Sequence, residues 1–202
     1  MKHLIGIRRE DKNPFERRTP LTPLHLGTLG RDQDLMARVQ PSPRRIFDDE
    51  AYRSAGAVVD EDLGACPIIM GIKEVPPAQL LPGKAYLYFS HTIKGQPYNM
   101  PMLRRLLELG CTLMDYERVL DDQNRRLIFF GRYAGLAGMI DTLWALGQRL
   151  EQEGVSSPLS LVRRAYDYAG LAEAVEDIKH VGAVLRRIPL PAPFRPLVFG
   201  VS

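Results

Sequence analysis

Two apolar runs in this chain end in residues suited to acid–base chemistry. Tyr86-Leu87-Tyr88-Phe89-Ser90 stops at His91, and Lys94 follows three residues later. Ile68-Ile69-Met70-Gly71-Ile72 stops at Lys73-Glu74. Short apolar runs read as buried strands, and in open α/β sheets ligands bind outside the carboxyl ends of the strands. Histidine titrates near neutrality and is the commonest general acid or base. Burial disfavours the ammonium form of a lysine and brings it toward the same duty, a shift that a nearby glutamate such as Glu74 opposes. Two strands that each finish in a proton carrier point to acid–base chemistry on a small molecule. The structural alternatives are a lysine that snorkels to the surface and a histidine that only bonds a loop.

Two further groups fall at strand ends. The segment Glu16-Arg17-Arg18-Thr19-Pro20-Leu21-Thr22-Pro23 lies between the first expected strand and the first expected helix. An arginine there can pair bidentately with a carboxylate, or be an exposed loop residue. Asp115-Tyr116-Glu117-Arg118 follows another apolar run, and Glu117 could orient a basic neighbour or be a surface charge. His3, His25 and His180 show no arrangement that calls for a ligand. No nucleophile elbow, phosphate-binding loop, zinc spacing or complete glycine fingerprint is present, so no metal site is expected.

The elements that would position these groups alternate. Strands are predicted at 3–7, 36–40, 67–73, 85–91, 111–115 and 127–130, and helices at 22–29, 48–55, 99–109 and 135–152. Alternation with short links argues for an α/β fold with a doubly wound, largely parallel sheet. Thr22 is placed to cap the first helix, with Pro23 at its first position. In the long helix Leu136, Met139, Ile140, Leu143, Trp144, Gly147 and Leu150 share one stripe. The small residues at its start permit close approach of another backbone, from a neighbouring domain or from a ligand. A helical pattern at 171–181 leads to the proline-rich 188–193, an extended connector. Leu197-Val198-Phe199 reads as a strand.

At 202 residues the chain can bury a full core, and 45% hydrophobic with 25% charged residues is the balance of an ordinary globular protein. A net charge of +3, spread over separate arginine pairs, argues against nucleic acid. No apolar run approaches the roughly 20 residues of a membrane span. Cys66 and Cys111 lack metal-ligand spacing and read as reduced thiols. With no leader evident, a cytoplasmic location is expected.

Taken in order, Ile5-Gly-Ile-Arg-Arg-Glu10, Glu16-Arg-Arg-Thr-Pro-Leu-Thr-Pro23, Gly71-Ile-Lys-Glu74, Phe89-Ser-His-Thr-Ile-Lys-Gly-Gln96, Asp115-Tyr-Glu117 and Phe130-Gly-Arg-Tyr-Ala-Gly-Leu-Ala-Gly138 resemble the N-terminal part of the alanine dehydrogenase/transhydrogenase superfamily. The form of the His91 segment resembles the lysine–ketoglutarate reductase and saccharopine dehydrogenase branch. The resemblance implies a two-domain enzyme, with a Rossmann-like substrate domain and an NAD(P) domain, that interconverts saccharopine with lysine and 2-oxoglutarate using NAD or NADP. Lys73 and His91 match the family's acid–base pair, and Arg18 its substrate-carboxylate arginine. Lys94, Glu74 and Glu117 match further residues of its site. The alternatives are an alanine dehydrogenase-like enzyme acting on another amino acid, and a non-catalytic amino-acid-binding module.

The resemblance also sets the expected organisation. Residues 1–134 form the substrate domain, 135–196 a bridging helix and connector, and 197–202 the first strand of a missing NAD(P)-binding domain. The truncated chain is expected to hold no cofactor and to be inactive alone. A missing partner domain would leave apolar surface along 135–152, which invites homo-oligomers.

Overall fold

A computed structural model describes residues 3–190, which divide into two compact units, 3–128 and 129–190. The expected strand at 197–199 lies outside the described residues.

The first unit is an α/β sheet. Its six strands are β1 (His3–Ile7), β2 (Leu35–Val39), β3 (Val58–Val59), β4 (Ile68–Met70), β5 (Ala85–Tyr88) and β6 (Thr112–Asp115). They lie in the order β3-β2-β1-β4-β5-β6 and every pairing is parallel. Successive connections run outward in one direction from β1 and in the other from β4. That is the doubly wound arrangement, with the topological switch point between β1 and β4.

Helices α1 (Pro23–Asp32) and α2 (Asp49–Ser54) serve the β1-β2-β3 half. Thr22 Oγ1 accepts from the His25 N–H at 3.2 Å and Asp48 caps α2 by accepting from Ala51, so both helices start where a side chain satisfies a first-turn donor. Leu26 and Tyr52 from these helices bury against Ile5, Ile7, Ala37 and Val39. Helix α3 (Met100–Glu108) serves the other half, where Met102 and Leu106 bury against Ile69, Tyr86 and Tyr88. Alternation along β5 sends the two tyrosines to one face and Ala85 and Leu87 to the other.

Several expectations need correction. No strand forms at 127–130. The chain there leaves a single antiparallel bridge, Leu120 with Arg126, and turns toward the next helix. Four apolar residues without room to pair along a neighbour do not make a strand. Strand β3 escaped notice because it is two residues long. Strands β4 and β5 end three residues before Lys73 and His91, so both residues lie on the loops that follow rather than in the strands.

The second unit holds α4 (Gly131–Gln152), two 3-10 turns and α5 (Leu171–Arg187). α4 begins four residues before the expected start, so the small residues from Gly131 onward are themselves helical. Ile140 and Leu150 from the predicted stripe join Leu159, Val162, Tyr168 and Val181 in its core. Gly147 is required there: a Cβ would stand 2.4 Å from the Leu159 carbonyl oxygen. Among the described residues no helix is long and apolar enough to cross a membrane, and no cluster of His, Cys, Asp and Glu could hold a metal.

Candidate active site

The crevice outside the carboxyl ends of β1, β4 and β5 collects charged side chains. Past β1 the chain carries Glu10, Lys12, Glu16 and Arg18. Past β4 it carries Lys73 and Glu74, and past β5 His91. Glu10 is buried, and its two carboxylate oxygens accept the backbone N–H groups of Ile72 at 2.7 Å and Lys73 at 3.0 Å. That pair of bonds fixes the backbone on which Lys73 stands. Burial raises the Glu10 pKa above the ordinary carboxylate value, and the Ile72 bond and Arg8 only partly offset it.

Glu74 is the centre of the cluster. Its side chain is 7% exposed. Oε2 accepts Lys12 Nζ at 2.6 Å, and Oε1 lies 2.7 Å from His91 Nδ1 and accepts Asn99 Nδ2 at 3.0 Å. Burial works against ionisation, yet the bonds from Lys12, Asn99, the backbone and His91 outweigh it and hold the carboxyl at about 2. Glu74 is therefore a carboxylate at neutral pH. The His91 ring is partly exposed, stacks on Phe89 at 6.4 Å between centroids, and sits on backbone with φ +50°.

Arg18 is held by Glu16. Nε and Nη2 donate to the two Glu16 oxygens at 2.8 and 2.6 Å, a bidentate pair. Burial opposes ionisation of Glu16, but the Arg18 bonds prevail and lower its pKa, and the Lys73 ammonium acts in the same sense. The bidentate partner of Arg18 in this structure is thus a carboxylate of its own chain.

Glu117 and Lys94 stand apart from these ion pairs. Glu117 bonds Arg126 Nη1 at 2.9 Å, and its backbone N–H donates to Asp115 Oδ1 at 2.8 Å. Asp115 also accepts the Ser90 hydroxyl. Lys94 is exposed on the turn after His91, with its backbone N–H 3.2 Å from Gln96 Oε1.

Four members of the cluster were not singled out by sequence reasoning. Glu10, Lys12 and Glu16 act on residues about sixty positions away or on a close neighbour in an irregular loop. Asn99 precedes a helix, where an asparagine reads as a cap. The available signal was the density of charge after β1, a place where binding residues concentrate.

The model of the alanine dehydrogenase/PNT N-terminal domain matches residues 6–137, well over half of the chain. The chain belongs to this family. An alpha-aminoadipic semialdehyde synthase of Arabidopsis thaliana is 42% identical over 201 residues, covering 97% of this chain and 19% of that protein. The mitochondrial one of Bos taurus is 36% identical, covering 98% and 21%. The NAD(+), L-lysine-forming saccharopine dehydrogenase of Neurospora crassa is 34% identical, covering 76% and 43%. The chain thus spans about a fifth to two fifths of these relatives. Among solved structures, an L-alanine dehydrogenase superposes with a TM-score of 0.58 at 22% identity, covering 74% of this chain and 42% of that one. The transhydrogenase from Sinorhizobium meliloti gives 0.55 at 14% identity, covering 74% and 44%. Both share the fold with this family member.

Proposed function

We propose that this chain is the substrate domain of a saccharopine-type amino-acid oxidoreductase, interconverting saccharopine with lysine and 2-oxoglutarate, with Lys73 and His91 as its proton carriers. The observation that carries the reading is the His91–Glu74 pair at 2.7 Å, with Glu74 directly following Lys73, on the loops after β5 and β4 next to the switch point of the sheet. The names of the similar proteins point the same way. Joining an amine to a ketone requires a proton to leave the nitrogen and a proton to reach the departing oxygen as water is lost. Two carriers on adjacent loops suit those two transfers. Glu74 orients His91. Arg18, steadied by Glu16, and the exposed Lys94 supply positive charge for substrate carboxylates, and Glu117 holds Arg126 in a separate ion pair.

The described residues do not fit a nicotinamide dinucleotide. Where a dinucleotide fold has a glycine-rich turn around the pyrophosphate, the first β–α connection here carries the buried carboxyl groups of Glu10 and Glu16. Thr22 already occupies a first-turn donor of α1. NAD or NADP belongs, in this reading, to a nucleotide-binding domain that works with it, and the chain alone is inactive. A cytoplasmic location is part of the same reading, in keeping with two free thiols.

Calorimetry with saccharopine, lysine and 2-oxoglutarate tests it. At least one should bind wild type, and Arg18→Ala should weaken it about tenfold or more, the loss expected for a charged hydrogen bond of roughly 1.5–3 kcal/mol. Binding of none would favour a non-catalytic module. Binding of alanine or pyruvate instead would move the substrate to another amino acid. Turnover of lysine and 2-oxoglutarate with NAD(P)H by the chain alone would refute its inactivity.

A further inference from the structure

We propose that Asn99 is a positioning residue that holds His91 as its Nδ1–H tautomer, leaving Nε2 as the atom offered for proton exchange. The inference rests on the reading of His91 as a proton carrier, but not on the identity of the substrate.

Asn99 stands at the N-cap of α3, where an asparagine side chain ordinarily accepts a first-turn N–H. It makes no such bond. The residue is 6% exposed, and its side chain turns to the crevice instead. Nδ2 donates to the Ser90 carbonyl oxygen at 2.8 Å and to Glu74 Oε1 at 3.0 Å, with the His91 carbonyl oxygen at 3.4 Å. An amide nitrogen has two hydrogens, and the two shorter contacts use them both.

The consequence for His91 follows from the bonding rules. Glu74 Oε1 lies 2.7 Å from His91 Nδ1. An ionised carboxylate only accepts, so Nδ1 must carry the hydrogen, and a neutral ring then has its lone pair on Nε2. Glu74 cannot rotate to release Nδ1 without also breaking the bonds to Asn99 and, through Oε2, to Lys12 at 2.6 Å. Asn99 grips the other end of the same corner as well. The Ser90 carbonyl immediately precedes His91, whose φ of +50° lies in the left-handed region that few non-glycine residues adopt. One amide thus ties the backbone that carries the ring to the carboxylate that orients it. An aspartate or a serine could cap α3 equally well. Neither can donate two hydrogen bonds from one terminal atom, and an aspartate would set a second acceptor against Glu74.

The test is the nitrogen chemical shifts of His91 in the chain labelled with 15N-histidine, without substrate or cofactor. Spectra are taken at a pH of about 9, above the ordinary histidine range, and His91→Gln assigns the signals. Wild type should show a protonated Nδ1 and a bare Nε2. Asn99→Asp should lose that preference, with the two nitrogen shifts drawing together, and Asn99→Ser should fall between. A wild-type ring protonated on Nε2 overturns the proposal. So does an Asn99→Asp protein with unchanged circular dichroism and the wild-type His91 pattern. Should Asn99→Asp not fold, the wild-type Asn99 side-chain amide decides: both protons should exchange slowly with solvent, and fast exchange overturns the assignment. If calorimetry finds no saccharopine-class ligand while His91 shows the expected tautomer, the proposed function fails and this inference stands.

Discussion

Replacing Glu74 by glutamine should remove a pH-dependent part of the stability of the first unit. The Glu74 oxygens face three nitrogen donors: Lys12 Nζ, Asn99 Nδ2 and His91 Nδ1. Glutamine keeps one acceptor and places an NH₂ group against at least one of those donors. The carboxyl is held at about 2 against an ordinary 4.5. That difference corresponds to an undiscounted contribution of about 3 kcal/mol at neutral pH. Because the Lys12 side chain is 41% exposed, solvent screening reduces it to about 1–2 kcal/mol. The sign follows from the direction of the shift. A depressed carboxyl stabilises the fold fully above its unfolded value of 4.5, and the contribution disappears as pH falls toward about 2. Urea unfolding of wild type and Glu74→Gln across this range is the assay, read by the near-ultraviolet dichroism of the buried Tyr52, Tyr86, Tyr88 and Tyr116. Trp144 lies in the second unit and its fluorescence serves as the internal control. The gap between the two proteins should narrow steadily as the solution is acidified below about pH 4.5. A gap that stays constant, or widens, would refute the charge account of Glu74.

Three other substitutions probe the frame. Gly147→Ala drives a Cβ against the Leu159 carbonyl and should cost the second unit about 1–3 kcal/mol in thermal or urea unfolding. Leu106→Ala empties a site that is 1% exposed under β5 and should cost roughly 2–5 kcal/mol, seen in the tyrosine signal. Thr22→Ala removes the cap of α1 and should cost about 1 kcal/mol, with faster amide exchange confined to the first turn of that helix.

The alternation of apolar runs and caps made the doubly wound sheet legible, because a parallel sheet buried on both faces writes continuous apolar segments into the chain. His91 and Lys73 were legible for the same reason: each breaks such a segment at the end where ligands bind. What holds them was not. Glu10 reaches Ile72 and Lys73 across more than sixty residues, and Lys12 reaches Glu74 over a similar span. No local pattern records those contacts. Asn99 was disguised by its position, since the spot before a helix accounts for an asparagine without any site. The strand expected at 127–130 failed for the opposite reason. Four apolar residues satisfy a local pattern, and only the sheet decides whether a neighbour is there to pair with them.

The most direct test of the central claim is a titration of isotope-labelled protein with 2-oxoglutarate and with saccharopine, followed by amide and side-chain chemical shifts. Shifts concentrated on Arg18, Lys73, Glu74 and His91, at the carboxyl ends of β1, β4 and β5, are predicted, together with their loss in Arg18→Ala. Shifts confined to the surface around α1, β2 and the edge strand β3, or none at saturating ligand, would contradict the assignment of this crevice as the substrate site.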